Sequence, residues 1–365
     1  MTTATGPAPR PGILDIAPYV AGEAKIVGIE RPIRLASNES ALGPSAKAIA
    51  AYRALADEIH RYPDGSADQL REALGRRHEL DPMRIVCGAG SDEIITLLTR
   101  AYAGPGDEVL YSEHGFLMYA ISARTVGAQP VAARERGLRA DVDALLAKAG
   151  PRTKVLFLAN PNNPTGSYLG KDEVARLHAG LPAGALLVID AAYAEYVTRN
   201  DYDAGAEFVE ANGNVVMTRT FSKIYGLAGL RLGWAYCPPA VADVLNRLRN
   251  PFNVSHVAQA AGVAALEDIA HVDAARANND VWLPWVTAEL EKLGLKVAPS
   301  VGNFVLVRFP DSPERIADAA NAFLCARGII PRKMGVYKLP HSLRITVGRE
   351  AEMRALVSAL AEFMA

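Results

Sequence analysis

Short apolar runs that alternate with helical patterns constrain the fold of this chain more than any other feature of its sequence. Several of the runs, such as L-L-V-I within 185–189, are apolar on both faces, which is typical of a parallel sheet covered by helices on each side. The alternation predicts an α/β large domain with a mainly parallel seven-stranded sheet sandwiched by helices. The expected strands lie at 84–87, 108–111, 130–133, 154–159, 185–189, 214–217 and 232–236.

The pattern changes after Asn250, where mostly helical sequence, expected to break near Pro284, leads into an α+β tail. Strands are expected there at 303–308, 328–332 and 342–347. Near the other end, Ser66 and Gln69 are expected to form a capping box for a helix. We therefore expect an N-terminal arm, a large domain that binds the ligand and a smaller α+β domain built from both ends of the chain, at 1–32, 53–274, and 33–52 with 275–365.

The composition excludes several classes of function. Lys plus Arg (39) nearly cancels Asp plus Glu (40), so neither nucleic acid nor a membrane surface is an expected partner. No apolar run approaches the ~18 residues of a membrane span. The three cysteines contain no C-x-x-C pair, which is typical of reduced thiols in the cytoplasm. No histidine pair has zinc-ligand spacing, so no metal is expected.

The segment at 218–233, T-R-T-F-S-K-I-Y-G-L-A-G-L-R-L-G, combines one lysine with two arginines and three glycines. Lys223 is a candidate for a Schiff base with a carbonyl cofactor, because burial lowers the pKa of an ammonium group and frees the amine. Ser222 and Arg231 would then bind an anion nearby. The alternative is a solvated loop lysine beside a surface arginine.

Three further loops follow expected strands. In G-A-G-S-D-E (88–93), the glycines and the free N–H groups of the next helix can bind an anion, or they form a tight strand–helix turn. A-N-P-N-N-P-T-G (159–166) is a rigid loop rich in amides, and the alternative is an ordinary turn. Asp190 in D-A-A-Y (190–193) ends an apolar strand, where a carboxylate is costly unless paired; the alternative is a helix N-cap.

Because ligands of open α/β sheets bind at the carboxyl ends of strands, these loops together predict a site for an aromatic, phosphorylated, electron-poor ring. Asp190 can keep a ring nitrogen protonated, and Tyr193 and Asn163 can hydrogen-bond a ring oxygen. Lys223 supplies the covalent link and then the general base. Phe116 either stacks on the ring or packs in the core. The expected phosphate ligands are Gly90, Ser91, Ser222 and Arg231.

In combination and in order, the segments resemble those of the fold-type I pyridoxal-phosphate aminotransferases, and the chain is most similar to the histidinol-phosphate branch of that family. The resemblance implies a pyridoxal 5′-phosphate cofactor and a homodimer with shared active sites. It covers nearly the whole chain, through L-A-S-N-E-S-A-L-G-P-S (35–45), R-Y-P-D-G (61–65), G-A-G-S-D-E (88–93), P-N-N-P-T-G (161–166), D-A-A-Y (190–193), T-F-S-K-I-Y-G-L-A-G-L-R-L-G (220–233) and L-R-I-T-V-G (343–348).

The resemblance also implies roles for single residues. Tyr62 is expected to reach the cofactor phosphate of the neighbouring subunit, and Arg344 to bind the α-carboxylate of the substrate. Tyr19 and Arg332 are expected to meet a substrate phosphate. Asn38 is a further expected substrate contact, and Asp92 a further expected cofactor contact.

Three departures from the family pattern stand out. Ala41 replaces a usual proline, Ala191 a frequent glutamate, and E-H-G-F (113–116) a P-P-T-Y-like stretch, so the stacking ring has no hydroxyl. An apolar pocket that accepts imidazole could also accept phenyl or phenol. His114 is the one histidine expected near the site, and a surface loop position is its alternative.

The resemblance implies an aminotransferase of histidine biosynthesis that moves an amino group between histidinol phosphate and 2-oxoglutarate by a ping-pong route, with aromatic amino acids as further donors. Alternatives are an aromatic amino acid aminotransferase and a decarboxylase of the threonine-phosphate type. A nicotinamide dehydrogenase is a remote alternative, since G-A-G-S-D-E is two-thirds of G-x-G-x-x-G and Glu113 stands near the spacing of a ribose-binding acid. A non-catalytic protein with the same fold is a further one.

Overall fold

The structure is a computed structural model that describes residues 6–19 and 22–365. The described strands are β1 Ile33–Arg34, β2 Ile85–Gly88, β3 Glu108–Ser112, β4 Gln129–Ala133, β5 Thr153–Ala159, β6 Leu186–Asp190, β7 Val215–Thr220, β8 Gly233–Tyr236, β9 Lys296–Ala298, β10 Phe304–Arg308, β11 Ile329–Ile330, β12 Arg332–Lys333 and β13 Ser342–Thr346. The described helices are α1 Ala46–Ala54, α2 Asp68–His78, α3 Ser91–Tyr102, α4 Leu117–Thr125, α5 Val142–Lys148, α6 Lys171–Gly180, α7 Ala206–Ala211, α8 Pro239–Leu248, α9 His256–Glu267, α10 Ile269–Lys292, α11 Ala317–Ala326 and α12 Glu350–Met364.

A seven-stranded sheet forms the centre of the large domain, in the order β2-β8-β7-β6-β5-β3-β4. Strand β8 runs antiparallel to both of its neighbours, and the other pairs are parallel. Strand β6 is buried along its whole length, as expected for a strand covered on both faces. The predicted α/β class and the mainly parallel sheet are confirmed.

Two apolar cores lie on the large sheet and a third lies in the C-terminal part of the chain. Side chains of alternating direction along β5 enter different cores, with Leu156 in one and Phe157 in the other. The third core joins Leu35 to residues of β10, β13 and α12. None of the helices in the described ranges combines the length and the apolar character that crossing a membrane requires.

The smaller α+β region contains a four-stranded antiparallel sheet, β12-β13-β10-β9. Strand β1 pairs in parallel with β11, which joins the two ends of the chain. The single strand expected at 328–332 is instead two short strands that pair with different partners, because Pro331 between them has no N–H to donate.

The division into an arm, a large and a small domain stays a prediction, and residues 1–5, 20 and 21 of the arm lie outside the described part. Within the range assigned to the small domain, α1 packs against α9, and Ala48 belongs to a large-domain core. The boundary at residue 52 therefore separates α1 from the core that buries its inner face.

Two local expectations were wrong. Helix α10 continues through Pro284, because Asp280, whose carbonyl would accept the missing bond, is exposed and water can serve it. The capping box at Ser66 is absent from helix α2, which begins at Asp68 after Ala67 in a left-handed conformation. The carboxylate of Asp64 accepts instead from the backbone N–H of Ser66 and of Asp68, at 2.9 and 2.7 Å.

Candidate active site

The loops predicted to form one site meet at a cavity of about 250 Å³ beyond the carboxyl ends of β5, β6 and β7. Most of the predicted site residues line this cavity, namely Tyr19, Ser91, Asp92, Phe116, Asn163, Asp190, Tyr193, Ser222, Lys223, Arg231, Arg332 and Arg344. Gly90, Asn38 and Tyr62 stand outside its wall. The cavity therefore gathers side chains from four loops of the large domain, from the small sheet and from the N-terminal segment.

Lys223 follows β7 in a turn held together by backbone hydrogen bonds. The N–H of Gly226 donates to the carbonyl of Lys223 at 3.0 Å, and Gly226 has a φ of 69° and lies against the backbone of Gly43 with no room for a Cβ. Lys223 is half-buried and its Nζ donates to the carbonyl of Ser37 at 3.0 Å. Withdrawal from water, with nearby Arg344 as the next cause, lowers the pKa of its ammonium group to about 8. A free amine is thus accessible close to neutral pH.

Asp190 ends strand β6 with its carboxylate buried, at 5% exposure. Tyr119 donates to Oδ2 at 2.7 Å and Thr218 donates to Oδ1 at 3.3 Å. Burial raises the pKa of Asp190 to about 6, and the hydrogen bond from Tyr119 partly offsets it. A cation placed against this carboxylate would stabilise its ionised form, which suits a protonated ring nitrogen.

Tyr193 and Asn163 lie on the cavity wall, as expected, but each also contacts a residue from the other part of the chain. Asn38 Nδ2 donates to Tyr193 Oη at 2.9 Å, and Arg344 Nη1 donates to Asn163 Oδ1. The ring of Tyr193 packs edge-on against Phe304, with 5.2 Å between the ring centres. Burial raises the pKa of Tyr193 to about 12, so its phenol keeps its proton.

Arg231 forms the corner of the cavity where a phosphate is expected. Its Nη1 donates to Ser222 Oγ at 3.3 Å and its Nη2 to Asp92 Oδ2 at 3.0 Å. Gly90 precedes α3 with a φ of 83°, and a Cβ on it would lie 2.4 Å from Arg231 Nη2. The glycine therefore lets the guanidinium approach the start of the helix, whose free N–H groups favour an anion.

Arg344 and Arg332 line the other end of the cavity from neighbouring strands, where they are register partners. Arg344 is 6% exposed, and burial lowers the pKa of its guanidinium. Its Nη2 donates to the carbonyl of Ala36, while its buried Nε has no hydrogen-bond partner among the residues described. A buried arginine N–H without a partner is costly, and an anion bound in the cavity would satisfy it. Tyr19, 53% exposed, lies nearby on the wall.

Tyr62 lies away from the cavity of its own chain. It is 82% exposed and stacks on Phe252, with 4.7 Å between the ring centres. This placement agrees with the expectation that Tyr62 serves a neighbouring subunit, which stays a prediction.

Two contributors to the site were missed in the sequence. Tyr119, the buried partner of Asp190, stands three residues after Phe116 and stacks on Phe157 with 4.7 Å between the ring centres. Tyr337 lines the cavity beside Arg332, and its carbonyl lies 2.8 Å from His114 Nδ1. The helical spacing from Phe116 was the available signal for Tyr119; no sequence pattern marked Tyr337.

Comparisons with known proteins place the chain in a family. Residues 30–360 match the model of aminotransferase class I and II. The chain is 62% identical over 360 residues to a histidinol-phosphate aminotransferase of Paramagnetospirillum magneticum, covering 99% of each chain. It is 58% identical over 365 residues to the enzyme of that name from Rhodospirillum rubrum, covering 100% of this chain and 99% of the relative.

A solved structure gives the same picture. The histidinol-phosphate aminotransferase of Sinorhizobium meliloti, in complex with pyridoxal-5′-phosphate, is 30% identical and superposes with a TM-score of 0.89 over 99% of this chain and 98% of that one. The chain belongs to the class I and II aminotransferase family. It is a pyridoxal-phosphate-dependent aminotransferase of fold type I.

Because the chain belongs to this family, the dehydrogenase alternative is wrong. The position of the third glycine in a dinucleotide fingerprint is Glu93, whose carboxylate accepts from the N–H of Ala89 at 2.6 Å and from Asn253 at 2.7 Å. The strand–helix turn is therefore closed by a side chain where a dinucleotide site needs open backbone. The identity of 52–62% to enzymes named histidinol-phosphate aminotransferase favours amino transfer over the decarboxylase and non-catalytic alternatives.

The residues of the cavity fit pyridoxal phosphate by their chemistry. A buried carboxylate with a raised pKa, Asp190, would face the ring nitrogen, and Arg231, Ser222 and the start of α3 would hold the phosphate. Lys223 offers the amine for the covalent link. When bound, the cofactor supplies an electron sink for the carbanion formed at the substrate Cα.

Proposed function

We propose that this enzyme moves an amino group between histidinol phosphate and 2-oxoglutarate, in the biosynthesis of histidine. The observation that carries the proposal is the pair Arg332 and Arg344, register partners on β12 and β13 that both face the cavity. Relatives that share 52–62% of their residues with the chain over nearly its full length bear the name histidinol-phosphate aminotransferase.

Two arginines suit these substrates because each substrate has an anionic end. Histidinol phosphate ends in a dianionic phosphate, and 2-oxoglutarate and glutamate carry carboxylates. Arg332, with Tyr19 beside it on the wall, would bind the phosphate of histidinol phosphate or the distal carboxylate of glutamate. Arg344, whose Nε has no partner in the part of the chain described, would bind the α-carboxylate of glutamate. One pocket would then accept the two amino donors in turn, which is the basis for a ping-pong route.

Lys223 would carry the proton between the substrate Cα and the cofactor carbon to which the amino nitrogen is bound. The lowered pKa of its ammonium, about 8, makes the free amine abundant near pH 8, so that it can accept the proton and return it. Asp190 would keep the ring nitrogen protonated, and Tyr193 and Asn163 would hydrogen-bond the ring oxygen. Phe116 would lie against the ring face.

Aromatic amino acids are proposed as slower donors. The wall of the substrate end includes the rings of Tyr19 and Tyr337, and Phe116 adds a face without a hydroxyl. Such a wall can accept phenyl or phenol in place of imidazole, but a substrate without a phosphate leaves Arg332 without its anion.

The experiment that tests the proposal compares kcat/KM for histidinol phosphate, histidinol, phenylalanine and tyrosine, each with 2-oxoglutarate as acceptor. We expect histidinol phosphate to exceed the others by at least about tenfold, since a charge-assisted hydrogen bond contributes ~1.5–3 kcal/mol. Parallel lines in double-reciprocal plots are expected for the ping-pong route. Equal values for histidinol and histidinol phosphate would contradict the proposed substrate.

We also propose a homodimer with shared active sites. The segment at 49–62 exposes Ile49, Tyr52, Ile59 and Tyr62, the last stacked on Phe252, and such apolar exposure is typical of an interface. Tyr62 would cross it to the partner's cofactor phosphate. Sedimentation equilibrium would test the dimer.

The cytoplasm stays the proposed location, supported by the free state of Cys87, Cys237 and Cys325.

A further inference from the structure

Asn38 lies against Tyr193 and not against the cavity in which it was expected to meet the substrate. It is 1% exposed, and its Nδ2 donates to Tyr193 Oη at 2.9 Å. Asn38 is the one hydrogen-bond partner of that oxygen among the residues that the structure describes. The side-chain amide of Asn38 therefore contacts the site through the phenol of Tyr193.

The backbone of Asn38 is fixed to the small sheet. Its N–H donates to Thr346 Oγ1 at 2.9 Å, and its carbonyl accepts from Asn303 Nδ2 at 3.1 Å. Its φ of 55° lies in the left-handed region, where asparagine is enriched among residues with a side chain. Both anchors come from the β10–β13 part of the chain, so the small sheet that carries Arg344 also sets the position of the Asn38 amide.

The amide is oriented as well as placed. Thr346 Oγ1 lies 3.2 Å from Asn38 Oδ1 and donates toward it, sharing its proton with the carbonyl of Leu35 at 2.9 Å. The amide oxygen thus faces Thr346 and the amide N–H groups face Tyr193. An asparagine meets both needs at once, because it tolerates a left-handed backbone and carries a donor and an acceptor on one short side chain.

A phenol has one proton to donate and accepts hydrogen bonds at the same oxygen. Since Asn38 donates to Tyr193 Oη, the proton of the phenol points away from Asn38. Tyr193 lines the cavity. We propose that Asn38 is a positioning residue that directs the hydroxyl proton of Tyr193 into the cavity, toward the ring oxygen of pyridoxal phosphate. The inference rests on the proposed role of Tyr193.

The test is a spectrophotometric pH titration of the visible band of the cofactor-loaded enzyme. A hydrogen bond donated to the ring oxygen stabilises the deprotonated form of the chromophore, so its loss raises the apparent pKa of the band. Asn38→Gly removes the amide and keeps the left-handed backbone. Asn38→Asp puts an acceptor in place of the donor, so that the phenol turns its proton toward the carboxylate. Tyr193→Phe removes the phenolic hydroxyl altogether.

We expect Asn38→Gly to raise the apparent pKa by about 0.5–1 unit, the size of one neutral hydrogen bond. Asn38→Asp should raise it at least as much, and Tyr193→Phe should raise it most. The double variant Asn38→Gly with Tyr193→Phe should match Tyr193→Phe alone, since no proton is left to direct. Asn279→Ala, a buried asparagine at 3% exposure that does not line the cavity, is the matched control and should leave the band unchanged.

An unchanged apparent pKa in Asn38→Gly would overturn the inference, and so would a shift in the double variant equal to the sum of the single shifts. A smaller shift for Asn38→Asp than for Asn38→Gly would overturn it too. If Asn38→Gly does not fold, the comparison of Asn38→Asp with the wild type decides. A wild-type protein with no visible band at all would instead contradict the proposed roles of Lys223 and Tyr193, so the two failures are distinguishable.

Discussion

The two ends of the cavity are built in different ways. At the cofactor end, Asp190 ends a buried strand of the large sheet, and Lys223 and the start of α3 stand shortly after the ends of two others. At the substrate end, Arg332 and Arg344 come from short strands of the small sheet, and Tyr19 comes from the N-terminal segment. One sheet edge fixes the first set, whereas separate parts of the chain must pack together to form the second.

Asp190 of the cofactor end and Tyr19 of the substrate end also differ in exposure, although Arg344 of the substrate end, at 6% exposure, is as buried as Asp190. Asp190 is buried and receives hydrogen bonds from Tyr119 and Thr218, while Tyr19 is 53% exposed. A rigid cofactor end keeps the reacting atoms in one geometry, and a more open substrate end can accept molecules of different length. Substitutions at the cofactor end should therefore affect every substrate alike, and those at the substrate end should distinguish among substrates.

The largest expected effect is at Lys223. Lys223→Ala removes both the covalent anchor and the proton carrier, so turnover should fall by at least about 10³–10⁴-fold for every donor. The visible band should be lost, and circular dichroism should show an intact fold. Lys154→Ala, at a lysine whose Nζ donates to the carbonyl of Pro151 at 3.4 Å and which does not line the cavity, is the control. Substantial turnover in Lys223→Ala would contradict the mechanism.

The raised pKa of Asp190 predicts that the stability of the protein without cofactor depends on pH. Burial raises its pKa from an ordinary 3.8 to about 6, so between those values the folded state holds a proton that the unfolded chain has lost. The stabilisation is therefore fully present below pH 3.8 and is lost as the pH rises through 6, at a cost of about 3 kcal/mol.

The side chain of Asp190→Asn cannot ionise, so the variant should not lose this stability as the pH rises. Urea unfolding of the apoprotein at pH 4 and pH 7 should show the variant gaining about 2–2.5 kcal/mol on the wild type between the two, because the unfolded Asp190 is already partly ionised at pH 4. Pyridoxal phosphate should restore the lost free energy of unfolding of the wild type at pH 7, because the protonated ring nitrogen stabilises the carboxylate. A difference between the two proteins that is the same at both pH values would argue against a buried, proton-binding Asp190.

The substrate end is tested by Arg332→Ala. We expect kcat/KM for histidinol phosphate to fall about 10–100-fold, the loss of a charge-assisted contact, with a much smaller change for phenylalanine. Lys333→Ala, at the next residue of β12 with its side chain exposed, is the control. Equal losses for both donors would show that Arg332 supports the fold of the cavity and not the phosphate.

The cofactor end could be predicted from the sequence because strand ends gather at one edge of a parallel sheet. That rule and the recognition of buried strands were enough to predict Lys223, Asp190 and Asn163 as site residues. The role of Asn38 could not be predicted, since its partner Tyr193 is 155 positions away and the left-handed turn that aims its amide depends on Thr346 and Asn303. The predicted start of α2 was wrong because the Asp64 carboxylate accepts the hydrogen bonds there. The single strand predicted at 328–332 was wrong because Pro331 has no N–H to donate.

The smallest expected effect concerns Tyr119, the partner of Asp190 that sequence patterns missed. Its phenol donates to Asp190 at 2.7 Å while buried among Phe157 and Phe116. Tyr119→Phe keeps the packing and removes one hydrogen bond, so the Asp190 carboxylate is less well stabilised. We expect pyridoxal phosphate affinity and turnover to fall about 5–10-fold for every donor, the equivalent of ~1 kcal/mol.

Tyr111→Phe is the matched control, because the ring of Tyr111 lies 6.2 Å from that of Tyr119 but its hydroxyl does not line the cavity. Equal losses for histidinol phosphate and phenylalanine in Tyr119→Phe would place Tyr119 with the cofactor end. A loss confined to histidinol phosphate would instead mean that the two ends of the cavity are coupled through α4, and the division between a rigid and an adaptable end would fail at this helix.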